Sequence, residues 1–333
     1  MRVRVGLVGA GFIGAVHLNA YANIPEAEVV GVADFDPEAA AAGAVLVGAR
    51  PYSSYAEFVA SEEVDVVDVC LPTSHHREVA LAAARDGKHV ILEKPIAGSV
   101  AEAEEILAAF EGDGPRLLVG HVVRYFPEYV RIKAMVESGE LGEIGVARTS
   151  RRSPMLDGWN DWYADRRKSG GVLVDLLIHD FDFLRWSLGE VERVCARGTA
   201  GREYNRLDYA LATLRFASGA IAHVEGHWGY PAPFCYEIEV AGSRAMVAVD
   251  SADRPSVELL GEQSGSGESL DVAVGKSPFE SELSDFIRCL KTGEEPRVSG
   301  RDAVEALRVS LAAAESIETG RVVDMGRSRS GSS

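Results

Sequence analysis

Val3-Arg-Val-Gly-Leu-Val8, followed at once by Gly9-Ala-Gly11-Phe-Ile-Gly14 and a helical stretch to about Asn23, decides how this chain begins. A short apolar run closed by glycines reads as a buried strand turning into a helix. A second apolar run, Glu28-Val-Val-Gly-Val-Ala33, ends in Asp34, twenty residues past Gly14. Each piece of that pattern has a mechanical job. Gly9 permits a sharp turn, Gly11 lets the backbone approach a pyrophosphate, and Gly14 allows the helix to pack closely on the strand. Phosphates at this turn would meet the positive end of the helix dipole. Phe12 and Ile13 lie inside the same turn and join it as cofactor-binding candidates. Asp34 would accept hydrogen bonds from ribose hydroxyls and repel a 2′-phosphate. Phe35-Asp36-Pro37 offers no cation in compensation, although the distant Arg50 could fold back. The cofactor expected is NAD, in preference to NADP. A ligand-free glycine turn is the bland alternative, and the strand, the helix and Asp34 together weigh against it.

Working outward, Val64–Leu71, His89–Leu92 and Arg116–Gly120 read as further strands, with a helical segment at Arg77–Asp86. Strands alternating with helices imply βαβ units in a parallel sheet, whose ligands bind at the carboxyl ends of the strands. From about residue 143 the pattern becomes consecutive strands joined by tight turns such as Ala217-Ser-Gly219, which means a mostly antiparallel sheet. Helical regions at Gly171–Leu188 and from Phe279 through Ile317 accompany it. The division expected is a nucleotide-binding domain over 1–122, an α/β domain over 123–325 and a flexible tail over 326–333. The Ser/Gly-rich Gly261–Glu268 reads as a mobile loop.

The chain has 333 residues, enough for about two domains. Lys and Arg number 34 against 51 Asp and Glu, a net charge of −17 that repels phosphate backbones and anionic lipid. Nucleic acid and membrane surfaces are therefore poor partners, and no run of about eighteen apolar residues is present to span a bilayer. Cys70, Cys195, Cys235 and Cys289 lie far apart without paired spacing, which argues against a zinc framework or disulfide scaffold and fits a reducing, cytoplasmic setting.

Two stretches carry possible chemistry. Glu93-Lys94-Pro95 follows the strand His89–Leu92, so Lys94 stands at the mouth of a strand-end cleft. There a desolvated ammonium can donate to a substrate oxygen, while a surface ion pair with Glu93 is the plainer reading. In Gly170-Gly171-Val-Leu-Val-Asp175-Leu-Leu-Ile-His179-Asp180-Phe-Asp182, Asp175 and His179 share one helical face at i and i+4. A carboxylate beside an imidazole fixes its tautomer and favours the imidazolium, as a general base requires. Asp182 lies near the same face, so a metal site of Asp175, His179 and Asp182, and a merely acidic surface, stay open on this stretch alone.

Taken together, these motifs resemble the Gfo/Idh/MocA oxidoreductase family, which includes glucose–fructose oxidoreductase and inositol dehydrogenase. The resemblance runs along nearly the whole chain: the glycine turn, Leu71-Pro72-Thr73-Ser-His-His76, Gly87 to Pro95, Gly120-His121-x-x-Arg124-Tyr-Phe-Pro127, Asp175-x-x-x-His179, and Pro296 to Ala303. Glu-Lys-Pro followed some eighty residues later by Asp-x-x-x-His is specific only in combination. The resemblance implies an N-terminal Rossmann domain and a C-terminal α/β domain with a large, open, mostly antiparallel sheet that pairs subunits into dimers or tetramers. It implies a catalytic set of Lys94, Asp175 and His179. Leu71, Pro72, Thr73, His76, Glu93 and Lys94 fall near the cofactor, and Lys94, Arg124, Trp162, Asp175, His179 and Tyr230, with Trp228, fall toward the substrate. The reaction expected is NAD-dependent oxidation of a secondary alcohol in an inositol, polyol or sugar-like substrate, with no metal. His179, oriented by Asp175, is the expected base, and Lys94 with a lowered pKa is the alternative. NAD-assisted glycoside cleavage with internal hydride return and non-catalytic sugar sensing are the rival functions. A metal enzyme ranks below them, because only one histidine lies between 175 and 182.

Overall fold

In the computed structural model, which describes residues 2–61, 63–199, 208–252, 256–261, 268–271 and 275–326, the chain forms two units. The first opens β1 (Val3–Val8), α1 (Phe12–Tyr21), β2 (Ala27–Ala33), α2 (Pro37–Val47), β3 (Arg50–Tyr52), α3 (Tyr55–Ser61), β4 (Val66–Val69), α4 (His76–Arg85), β5 (His89–Glu93), α5 (Val100–Ala108) and β6 (Leu117–Gly120). The six strands run parallel in the order β3-β2-β1-β4-β5-β6. That order reverses direction between β1 and β4, which makes their carboxyl ends the switch point where such sheets receive ligands. All of β4 and all but one residue of β1 are buried, as strands covered on both faces require.

Local chemistry sets the helix ends. Asp36 caps α2 by accepting the Glu38 N–H at 2.9 Å, Pro37 occupies the first turn, and Gly48 ends the helix in the left-handed conformation. Ser99 caps α5 in the same way through the Glu102 N–H.

The second unit contains α6 (Pro127–Glu137), β7 (Ile144–Ser153), α7 (Arg166–Ser169), α8 (Ile178–Leu188), β8 (Val191–Gly198), β9 (Asp208–Phe216), β10 (Ile221–Trp228), β11 (Cys235–Gly242), β12 (Ala245–Asp250), β13 (Ser256–Gly261) and β14 (Glu268–Asp271). With β15 (Val323–Asp324) they form a nine-stranded sheet in the order β14-β13-β12-β11-β7-β10-β9-β8-β15. Every pairing is antiparallel except β7 with β10, which the intervening helices and strands separate in the chain. Buried and partly exposed residues alternate strictly along β9 and β10. One face therefore packs on helices while the other stays open.

The sequence reading differs from the structure in three places. The helix expected over Gly171–Leu188 is one π-helical turn, Val172–Leu176, followed by α8. The helical region expected from Phe279 to Ile317 is two helices, α9 (Pro278–Thr292) and α10 (Gly300–Thr319). Residues 275–304 pack with the first unit rather than with everything after residue 122, because α9 lays Leu283, Phe286 and Ile287 into the core that holds Leu18 and Tyr21 of α1. Of the mobile loop expected over Gly261–Glu268, Gly261 ends β13 and Glu268 begins β14, and the rest, like the expected tail after Gly326, lies outside the described residues. Among the described residues, no helix is long and apolar enough to cross a membrane.

Candidate functional site

In the first unit the glycine turn is built as its spacing suggests. Gly9 has φ +101°, and a Cβ there would lie 2.7 Å from the Cys70 carbonyl oxygen, so both backbone angle and space demand glycine. A Cβ on Gly14 would lie 2.0 Å from the Gly9 carbonyl oxygen. Gly11 differs: a Cβ there would meet nothing within 4 Å. Gly11 is also the N-cap of α1 and provides no side-chain cap, and the first turn carries no acidic residue. The leading amides of α1 are thus left for an anion, beside space that a side chain would otherwise fill. Phe12 is 83% exposed next to this opening, and Ile13 is half-buried.

Asp34 follows β2 and points back at the same turn. Its Oδ2 accepts the Ala10 N–H at 2.7 Å and its Oδ1 accepts the Asp36 N–H at 2.9 Å. Two backbone donors hold the carboxylate in place, and each oxygen keeps further acceptor capacity for hydroxyl donors. The turn, the uncapped helix start and this carboxylate fit a dinucleotide.

The next strand ends supply the other candidates. Leu71 and Pro72 are half-buried after β4, and Thr73 is buried in a single helical turn. His76 is buried, with Nδ1 2.9 Å from the Pro95 carbonyl oxygen and Nε2 2.8 Å from that of Leu71. It fastens the segment after β4 to the segment after β5; burial lowers its pKa, against the two carbonyls, which favour the charged ring. Lys94, half-buried, directly follows β5 and precedes a cis Pro95. Its backbone N–H donates to Glu93 Oε2 at 3.0 Å.

Behind that turn lies a buried polar cluster the sequence reading passed over. His17 of α1 has no exposed side-chain surface; its Nδ1 is 2.9 Å from Asp68 Oδ2 and its Nε2 is 3.2 Å from Glu93 Oε1. The Tyr21 hydroxyl donates to Asp68 Oδ2 at 2.9 Å, and Cys70 Sγ lies 3.4 Å from His17 Nδ1. Burial works against a charged His17, yet Cys70 and Asp68 raise its pKa well above the ordinary histidine value. Glu93 is driven up by burial, but His17 and Lys94 win and hold it below the usual range. Glu282 of α9 is buried with neither carboxylate oxygen hydrogen-bonded among the described residues; burial and the charge of Glu93 raise its pKa well above normal. A signal for this cluster existed: His17 falls three residues after Gly14 and four before Tyr21, on the inward face of α1.

In the second unit Gly171 has φ +69°, and a Cβ there would lie 2.7 Å from Asp208 Oδ2. That carboxylate accepts the Val172 N–H at 2.9 Å and contacts the Arg166 guanidinium, whose Nη2 is 2.6 Å from Asp208 Oδ1. The start of the π turn is thereby fastened to β9 and α7. Asp175 is buried on that turn, and His179, half-buried, stands in the first turn of α8. The neighbouring Asp180 is buried and bound by Arg151 of β7, Nε to Oδ2 at 2.7 Å, which fixes α8 on the sheet. Trp162 stacks on Tyr163 at 4.0 Å between ring centroids, and Tyr163 meets Trp228 edge-on at 5.8 Å. Tyr230, half-buried, lies under the Arg152 guanidinium at 5.4 Å, while Trp228 is buried.

Arg124 is placed otherwise than a pocket residue would be. It is 1% exposed, with Nη1 donating to the Arg297 carbonyl at 3.2 Å and Nη2 3.4 Å from Asp302 Oδ1, a contact that fastens β6's outgoing segment to the start of α10. Nor do Asp175, His179 and Asp182 gather as a metal cluster: among the described residues, the His, Cys and acidic ligand atoms that come within 4.8 Å in a group of three are those of His17, Asp68 and Cys70.

Comparison with known proteins agrees with this architecture. Residues 3–121 match the family described as "Oxidoreductase family, NAD-binding Rossmann fold", and residues 129–248 match the GFO/IDH/MocA C-terminal domain. Myo-inositol 2-dehydrogenase of Thermotoga maritima is 31% identical over 97% of this chain and 98% of its own. The crystal structure of a putative myo-inositol dehydrogenase from Sinorhizobium meliloti 1021 is 28% identical, with a TM-score of 0.82 over 97% of this chain and 100% of that one. Levoglucosan dehydrogenase in complex with NADH and L-sorbose shares the fold at a TM-score of 0.88 and 23% identity, covering 98% of this chain and 100% of that one.

Proposed function

The chain belongs to the Gfo/Idh/MocA oxidoreductase family, and on that premise we propose that it oxidises one secondary alcohol of an inositol, polyol or sugar-like substrate with NAD. The observation that carries the cofactor side is the uncapped start of α1 at Gly11 beside the fixed Asp34 carboxylate. Gly9, Gly11, Gly14 and Asp34 would hold the dinucleotide, with Leu71, Pro72 and Thr73 along the next strand end. Bound there, the nicotinamide supplies the acceptor for the hydride that leaves the carbinol carbon. The names of the inositol dehydrogenase relatives support the substrate class.

In this reading the Lys94 ammonium donates to the substrate oxygen and stabilises negative charge as the hydroxyl proton departs. His179 takes that proton, with Asp175 stabilising the imidazolium. Trp162 and Tyr230 offer ring faces to the apolar side of a sugar or cyclitol. The buried pairing of Arg124 with Asp302 supports a structural role for this residue rather than substrate contact. We also infer a homodimer or homotetramer formed through the open face of the nine-stranded sheet, and a cytoplasmic setting supported by four unpaired cysteines.

The test is absorbance at 340 nm (the standard NADH wavelength) with purified protein, NAD or NADP, and a panel of inositols, aldoses and sugar acids. Net NADH formation with an inositol or sugar is the expected result. Substrate cleavage without net NADH would replace this reading by internal hydride return.

A further inference from the structure

His17 sits between two carboxylates, with one ring nitrogen turned to each: Nδ1 is 2.9 Å from Asp68 Oδ2 and Nε2 is 3.2 Å from Glu93 Oε1. A neutral imidazole carries one N–H and can donate to only one of them. Nδ1 is hydrogen-bonded to Asp68, whereas Nε2 and Glu93 Oε1 meet outside hydrogen-bond geometry as an ion-pair contact, so the ring interacts favourably with both carboxylates only as an imidazolium. The chain of contacts continues at each end. Asp68 Oδ2 also receives the Tyr21 hydroxyl at 2.9 Å, and Glu93 Oε2 receives the backbone N–H of Lys94 at 3.0 Å. Cys70 and Glu282 are the other titratable groups beside this ring, and burial pushes the Cys70 thiol pKa up.

The consequence concerns the peptide between Glu93 and Lys94. Glu93 closes β5, and its carboxylate folds back onto the amide of the next residue. Without His17 on its other side, that buried carboxylate would keep only the Lys94 charge and amide, a state that favours protonation or rearrangement. We propose that His17 is a positioning residue: bridging Asp68 and Glu93, it holds the Glu93 carboxylate on the Lys94 amide and so fixes the direction in which the Lys94 side chain leaves the strand. The inference rests on the reading of Lys94 as the group that meets the substrate oxygen. Orientation of such a group carries large leverage, since about 1 Å of displacement can cost about 100-fold in rate.

The chain has six lysines, so reductive methylation with ¹³C-formaldehyde gives a small set of dimethyl-lysine NMR signals, with Lys94 assigned by Lys94→Arg. In His17→Gln, which keeps one donor but not the bridge, the Lys94 signal is expected to change its shift and titration midpoint while the other five hold theirs. The kcat of the unmethylated variant should fall about 10-fold or more, with NAD affinity within about 3-fold of the parent. A folded His17→Gln whose Lys94 signal matches the parent overturns the inference. If that variant does not fold, Glu93→Gln takes its place, with the same expected movement and the same overturning result. Lys94→Ala separates the two layers: full turnover in that variant removes the catalytic reading of Lys94, while the NMR comparison still decides what His17 holds.

Discussion

Asp208, the first residue of β9, accepts the backbone N–H of Val172 at 2.9 Å, and so joins the sheet to the π turn that carries Asp175. The same carboxylate pairs with Arg166, which makes it the point where β9 fastens both α7 and the π turn. Replacing it with alanine leaves the Val172 amide and the Arg166 fork without their acceptor. We expect Asp208→Ala to lose about 1–3 kcal/mol of stability, the usual cost of orphaning such groups. It should also lower kcat more than it raises the Kd for NAD. Chemical denaturation and steady-state kinetics check this, and an unchanged kcat in a destabilised variant would restrict Asp208 to a structural role.

The glycine turn makes a sharper comparison. Gly9→Ala forces a Cβ against the Cys70 carbonyl in a left-handed backbone, so the melting temperature should drop by several degrees. Gly11→Ala meets nothing in the protein and should leave the melting temperature close to that of the parent, yet weaken NAD binding about 10-fold or more by filling the space before α1. Thermal melts with and without NAD measure both. Equal NAD affinity in Gly11→Ala would show that the cofactor does not lie against this helix start.

Asp34 is expected to set the choice between the two dinucleotides. Asp34→Asn keeps the side chain's size and an acceptor for the Ala10 amide, but removes the charge that repels a 2′-phosphate. The ratio of NAD to NADP affinity should fall by about 10-fold or more, read by fluorescence titration with each reduced cofactor. A ratio that does not move would locate the discrimination elsewhere.

Glu282 predicts a pH dependence of stability. Burial and the Glu93 charge raise its folded pKa, so above the unfolded carboxylate value the folded chain holds this proton more tightly than the unfolded chain does. Folding then takes up a proton, and the penalty grows as pH rises above the unfolded carboxylate value of about 4. Glu282→Gln removes the penalty. The variant should gain about 1–3 kcal/mol over the parent at pH 8 and nearly nothing near pH 4, by denaturant titration at each pH. A pH-independent difference would mean the carboxyl ionises in place.

Arg124 tests a specific disagreement between sequence and structure. The resemblance put it toward the substrate, whereas its guanidinium is buried against Asp302, a carboxylate whose pKa it and Ser299 hold down in spite of burial. Arg124→Met should therefore lower stability by about 1–3 kcal/mol, because the Asp302 carboxylate it leaves behind is partly exposed and screened, with KM nearly unchanged in whatever fraction folds. A large rise in KM at unaltered stability would restore the substrate role.

Much of this protein was written in short stretches. The spacing of Gly9, Gly11 and Gly14 after an apolar run, with Asp34 at the end of the next, needs only strand and helix geometry to be read, and the described turn has the conformation that spacing requires. Alternation of strands and helices fixed the parallel sheet, because a right-handed βαβ unit leaves few other arrangements. What the chain could not announce are relations made by packing. His17, Asp68 and Glu93 come from a helix and two strands, and Glu282 from a helix nearly two hundred residues beyond Glu93 that joins them because α9 returns to cover α1. Arg124 looks like a ligand-binding arginine until Asp302 is found against it, and the Gly171–Leu188 helix opens with a π turn whose first amide Asp208 holds from another strand. Local patterns determine elements through interactions within a few residues, whereas the burial that decides each charge's partner is a property of the assembled sheet and helices.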